Sequence, residues 1–351
     1  MATFKKMTLA LASVAPTVLA TSAPSKMTVG VIGDYGWTGW NPAPLSFCNE
    51  VMPKLIAQNI TIPREVQNDC DAGDPETASY VGQVCAMKGC SAFISVGDNF
   101  YDSGVDFTTG GIPRFQEAWV DMYQGGGQSG VDFETKIAPL YDSRWYFGTE
   151  GLPYYTYDLT GSDWTATFVV VDSDCFLDSY QESTSVYQNP YTAACHEDTA
   201  TQVAFLEQAF EASKADWKFL QLHHPYMSAT ANQTDLAPLI AVVEKYGGIV
   251  LNGHDHCLAH FYNNNTNFIL SGAAGYPQVG DCNYGVAPGP YAQWLGANTQ
   301  AAANGFVTMD ITKQEINVEY YARNMQFEGG DLYPVENELE PSYSFQIKAH
   351  P

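Results

Sequence analysis

The chain has 351 residues, of which 45% are hydrophobic, and sets 15 Lys+Arg against 39 Asp+Glu for a formal net charge of −24. So acidic a surface disfavours nucleic acid and anionic membranes as partners, because binding to either rests on Lys and Arg displacing counterions. It also suits an acidic medium, in which partial protonation of carboxylates relieves self-repulsion.

From the N-terminus, MATFKKMTLALASVAPTVLA places Lys5 and Lys6 before an apolar run from Met7 to Leu19, followed by small residues at Ala20 to Ala23. That order predicts a secretory signal over 1–23, too short for a membrane span. Its removal leaves 13 basic residues against 39 acidic, a net charge of −26. The remaining chain shows no Ser/Pro linker or charge block, so one domain is expected over 24–328, with an acidic, proline-bearing and irregular tail over 329–351. No later apolar run is long enough to span a bilayer. Secretion, or delivery to an acidic vacuolar or lysosomal lumen, is the expected localisation.

Six short apolar runs read as strands: MTVGVIG (27–33), SAFISVG (91–97), TATFVVVD (165–172), WKFLQLH (217–223), GGIVLNG (247–253) and NFILSG (267–272). Helical spacing lies between them, in PETASYVGQVCAMKG, PRFQEAWVDMY, DTATQVAFLEQAFEASKA and DLAPLIAVVEKYG. Continuous apolar strands alternating with helices predict an α/β sandwich. Period-two alternation over 305–323 predicts a hairpin. The eight cysteines form an even set in a chain read as exported, so disulfides are expected, and proximity pairs Cys48–Cys70, Cys85–Cys90, Cys175–Cys195 and Cys257–Cys282. Sequons at Asn59, Asn232 and Asn264 are candidate glycosylation sites.

Most of these strands end in a residue that can bind metal. Asp34 follows the first, Asp98 and Tyr101 follow the second, His223 ends LQLHHP, and His254 and His256 follow VLNG. Ligands in open α/β sheets bind at the carboxyl ends of strands, so these side chains are expected to converge. Aspartate and phenolate oxygens suit a hard ion, and imidazoles suit iron, zinc or manganese. A carboxylate such as Asp98 could bridge two ions, and a two-metal site points to hydrolysis of a phosphoester.

The set GDYG, GDNFY, HHP, GHDH resembles the purple acid phosphatases of the calcineurin-like metallophosphoesterase superfamily, in particular the tartrate-resistant type. The resemblance runs from about Lys26 to about Arg323 and implies a four-layer α/β/β/α sandwich. It implies that Asp34, Tyr101 and His256 hold iron(III), that Asp98 bridges, and that His223 and His254 hold a divalent ion (Fe, Zn or Mn). The implied reaction is attack of metal-bound hydroxide on a small phosphomonoester or a phosphoprotein. His223 rather than His224 takes the ligand role, since the family's ligand lies two residues before the proline.

One motif of that family is missing. Its GNHD or GNHE stretch supplies an asparagine to the divalent site and a histidine near the leaving group. Here no asparagine occurs from Phe100 to Gln188 and no histidine before His196. The glycine-rich YQGGGQSGVDFE (123–134) occupies that place; it lacks the Lys-Ser/Thr that completes a P-loop. His224 is the nearest candidate for a substitute acid, and Asp132 or Glu134 for a substitute ligand. Two readings stay open: an acid phosphatase of reduced activity, or a weakened paralogue that binds metal or phosphate as an exported surface protein.

Overall fold

The computed structural model describes residues 23–35, 74–98, 154–178, 199–228, 233–275, 290–296, 303–328, 331–334 and 339–349. Tyr101, Asn59, Asn232 and the glycine-rich stretch lie outside them.

The first sheet holds β1 (Met27–Ile32), β2 (Cys90–Ser95), β10 (Ala303–Ile311), β11 (Glu315–Glu328), β12 (Asp331–Pro334) and β13 (Tyr343–Lys348). Its order is β12-β11-β10-β1-β2, with β13 also paired to β11. The second sheet holds β3 (Tyr155–Thr160), β4 (Thr165–Val170), β5 (Trp217–Gln221), β6 (Ile249–Asn252), β7 (Leu258–Asn263), β8 (Thr266–Ser271) and β9 (Ala292–Leu295). They run in the order β3-β4-β5-β6-β8-β7-β9. Within these sheets β1 pairs parallel with β2, and β4, β5, β6 and β8 form a continuous parallel block.

Side-chain alternation along each strand builds the layers. Val29, Val31, Ile94, Val307, Met309 and Val318 of the first sheet pack against Ala166, Phe168, Phe219, Ile249, Leu251 and Ile269 of the second, all in one buried core. The opposite faces of the second sheet's strands, Val169, Leu220, Val250, Phe268 and Leu270, are covered by α2 (Thr199–Ala212) and α3 (Ala237–Tyr246). On the outer face of the first sheet, Ile32, Phe306 and Tyr321 meet Tyr80, Val81 and Val84 of α1 (Asp74–Lys88). The result is the expected α/β/β/α order. Strands with a layer on both sides must be apolar on both faces, which is why they read as unbroken runs.

Buried polar bonds tie the two sheets together. Gln221 Nε2 donates to Ser95 O at 2.6 Å, Ser271 Oγ to Val31 O at 2.8 Å, and Tyr320 Oη to Ala259 O at 2.8 Å. The first two lie next to the strand ends that carry the candidate ligands. Burial of these groups is tolerable because each finds a partner.

The tail corrects its expectation. Residues 329–351 were expected to be irregular, yet they contain β12 and β13, and β13 pairs with β11 from Glu315↔Lys348 to Tyr320↔Tyr343. Tyr343, Phe345 and Ile347 point the same way and pack against the inter-sheet core. Cys85–Cys90 forms as proximity suggested, and Cys175 and Cys257 are also disulfide-bonded.

Candidate metal centre

Three of the candidate ligands stand in a backbone conformation that side chains rarely adopt. Asp34, Asp98 and His254 have φ of 58°, 45° and 70°. Each follows a glycine just past a strand, so the chain turns sharply and throws the side chain back over the sheet edge. Left-handed backbone at a residue other than glycine costs roughly 1–2 kcal/mol, and such strain gathers at functional sites. All three preceding glycines are needed for space, and a Cβ on Gly33 would stand 2.5 Å from Val96 Cγ2 and 2.8 Å from Ser271 O. A Cβ on Gly253 would stand 2.4 Å from Asp34 Oδ2, and one on Gly97, itself at φ +105°, would stand 2.5 Å from His223 Nδ1.

These turns assemble two groups of donors whose ligand atoms lie within 4.8 Å of one another: Asp34, Asp98 and His256 in one, His223, His224 and His254 in the other. Asp34 is fully buried, accepts from the His254 backbone N–H at 3.0 Å, and faces His256 Nε2 at 3.3 Å. Asp98 belongs to the first group, yet its Oδ2 lies 3.3 Å from His223 Nε2 of the second. It is therefore placed between the two. In GHDH, His254 falls in one group and His256 in the other, while the intervening Asp255 accepts from Ser228 Oγ at 2.5 Å.

Electrostatics set the character of the site. Burial pushes the Asp34 carboxyl up, opposed by His223 and His256. Burial alone would lower His223, but Asp98 and Asp34 outweigh it and raise the imidazole to about 10. His254 is lowered to about 3 by burial and by His223. The two carboxylates thus draw positive charge into a confined place, a demand that a metal cation would answer. His223 Nδ1 is 2.9 Å from Val96 O, so its N–H is committed to the backbone and Nε2 is turned toward the centre, the arrangement typical of a ligating histidine. Donor types, convergence and this orientation all fit a metal centre.

His224, the candidate substitute acid, stands in the second group of donors. It is 1% exposed, its Nδ1 sits 2.9 Å from Ser173 Oγ, and burial together with His254 and His223 holds its pKa well below 6.5. Sequence reasoning missed its neighbours Ser173 and Asp174, which follow β4 in VVDSDCF. The strand-end rule that located the other residues applies to them as well.

Two face-to-face sheets with metal-ligand side chains gathered at strand ends make a four-layer α/β/β/α sandwich with a candidate metal centre at one edge. No family model matches the chain. Over 288 residues it is 25% identical to tartrate-resistant acid phosphatase type 5 of Oryctolagus cuniculus, spanning 75% of this chain and 83% of that protein. Purple acid phosphatase 4 of Arabidopsis thaliana is 24% identical over 269 residues, 70% and 74% of the two chains. Among solved structures, "GAP50 the anchor in the inner membrane complex of Plasmodium" superposes with a TM-score of 0.59 at 14% identity, over 93% of this chain and 90% of that one. Over most of its length the chain is similar, at about a quarter identity, to tartrate-resistant and purple acid phosphatases.

Proposed function

We propose that this chain is an exported acid phosphatase that hydrolyses phosphomonoesters at a binuclear metal centre. The observation that carries the reading is Asp98: it joins the Asp34–His256 group while reaching to within 3.3 Å of His223 in the other, as a carboxylate shared by two ions would. Asp34, Asp98 and His256, with Tyr101 from the same GDNFY stretch, would hold iron(III), and His223 and His254 would hold the divalent partner. Such ions supply an activated water and positive charge to the phosphate oxygens. The protein's own part is to fix the ligands. Val96 O orients His223, the His254 N–H holds Asp34, and the left-handed turns keep both carboxylates at the strand ends.

Without the family's Asn-His motif, leaving-group protonation falls to solvent. Losing a general acid typically costs 10²–10⁴-fold in rate, about 3–5 kcal/mol of barrier. A leaving-group series tests this. An aryl phosphate, whose leaving oxygen needs no proton, should be turned over well and an alkyl phosphate poorly; equal rates on both would contradict the missing-acid argument. Tyr101→Phe should bleach a violet protein, and a colourless wild type holding only zinc would count against an iron(III)–tyrosinate.

A second reading, a weakened paralogue that binds metal or phosphate at a surface, is favoured by the missing motif. The anchor protein shares the fold, and fold does not fix chemistry. Hydrolysis of neither ester at any metal loading would select it.

Export rests on the signal pattern over 1–23 and localisation follows from it. Among the described residues no helix is long and apolar enough to cross a membrane. Asn264 lies on an exposed turn with φ 47°, where its Nδ2 donates to Glu244 Oε1 at 3.0 Å, a bond that a glycan on that nitrogen would replace.

A further inference from the structure

The three histidines of the second group are packed ring against ring. Centroids are 5.0 Å apart for His223–His224, 5.2 Å for His223–His254 and 4.2 Å for His224–His254. A second ion held by His223 and His254 therefore has the His224 ring beside it, in a chain that lacks the family's asparagine ligand.

How His224 is held matters as much as where it lies. Ser173 Oγ contacts it twice, at 2.9 Å from Nδ1 and 3.1 Å from the backbone N. Asp174 Oδ1 lies 3.5 Å from the same Nδ1. Nδ1 is thus occupied on the β4 side, and Nε2 is the nitrogen turned to the other side of the ring. The Ser173 turn is itself braced: Asp172 N donates to Gln202 Oε1 at 2.9 Å, Gln202 Nε2 returns to Asp172 O at 3.3 Å, and Asp174 N donates to the Asp172 carboxylate at 3.1 Å. A hydroxyl and a carboxylate behind an imidazole form the outer shell that fixes tautomer and ring angle in metal-binding histidines.

Resting on the two-metal reading, we propose that His224 is the third protein ligand of the second ion, in place of the missing asparagine, and that Ser173 and Asp174 are its positioning residues. The site then offers three imidazole nitrogens beside the shared Asp98, whereas the first offers mainly oxygen. An all-nitrogen face shifts preference toward zinc or another ion that favours imidazole, and away from magnesium or manganese.

The test is a titration of the metal-free full-length protein with zinc, repeated with cobalt(II) so that its visible bands report the ligand set. Wild type should bind two ions. His224→Ala should weaken one of them at least tenfold and change the cobalt bands of that site, with the other ion unaffected. Ser173→Ala should weaken the same ion by roughly 10–100-fold, and Ser173→Thr, which keeps the hydroxyl, should restore it. If His224→Ala does not fold, as judged by circular dichroism, the Ser173 pair decides alone, and unchanged zinc affinity and cobalt bands in Ser173→Ala overturn the proposal. Two ions retained at wild-type affinity in folded His224→Ala overturn it as well and leave the two-metal reading standing. A wild type that binds fewer than two ions sinks that reading itself.

Discussion

Protonating His260 should loosen the hold on the C-terminal strand. The ring lies on β7 with Nε2 3.0 Å from Asn267 Oδ1 and Nδ1 3.0 Å from the Tyr343 hydroxyl of β13, and it stacks on Phe345 at 3.6 Å between centroids. Nε2–H donates to the amide oxygen, so Nδ1 accepts from Tyr343, and a second proton on Nδ1 would face that hydroxyl as a competing donor. Burial, partly offset by Asn267, lowers the imidazole to about 4. The unfolded chain, titrating near 6.5, binds a proton in a range where the native state does not, so stability falls as pH drops from about 7 toward 4. Linkage over that interval amounts to roughly 2 kcal/mol at pH 5 and ~3 kcal/mol at pH 4. The assay is urea unfolding of wild type and His260→Gln, with disulfides intact, at several pH values between 7.5 and 4. Other ionisable groups are common to both proteins and cancel in the difference. The variant should be less stable at pH 7.5, through lost stacking, and should overtake or match wild type near pH 4. Two curves that stay parallel within about 0.5 kcal/mol, a typical additivity error, would show that His260 does not titrate differently in the folded and unfolded chain.

Gly253→Ala puts a methyl 2.4 Å from Asp34 Oδ2, so it should cost about 1–3 kcal/mol by overpacking and lower metal retention after dialysis; unchanged metal content would show that Asp34 can retreat without consequence. Asp310 accepts from Thr28 Oγ1 at 2.6 Å and pairs with Lys88 and Lys26, and although burial opposes it these partners lower its pKa. Its stabilisation is present above about pH 4 and disappears as pH falls through the lowered folded value. Asp310→Asn should therefore lose about 1–3 kcal/mol at pH 6 and progressively less below pH 4, read by chemical denaturation at both. Tyr320→Phe removes the inter-sheet bond to Ala259 O and should cost roughly 1 kcal/mol in thermal or urea unfolding.

Most of the sandwich was legible because its central strands are covered on both faces. Val29 and Val31 face the second sheet while Ile32 faces α1, and that double burial is what made 27–33 an unbroken apolar run. The edge elements were not legible for the converse reason. In β13 only Tyr343, Phe345 and Ile347 turn inward, so YSFQIK alternates, and the prolines and acids before it obscured the pattern. At the site, the Gly-Asp and Gly-His pairs marked sharp turns at strand ends, and the backbone there is left-handed. The grouping of His224 with His223 and His254 was hidden, since adjacent residues in HHP need a turn to share a side. Ser173, which fixes that ring, comes from a strand whose end carried no histidine to draw notice.

On the proposed function, the two donor groups, joined at Asp98, act together as a binuclear centre. The most direct test strips the purified chain of metal, restores ions stepwise, and follows bound metal and aryl phosphate hydrolysis together at acidic pH. Hydrolysis should be lost on stripping and return fully only as the second equivalent binds, with Asp98→Ala failing to recover. Hydrolysis that survives complete metal removal, or two bound ions with no hydrolysis, would contradict the proposed function.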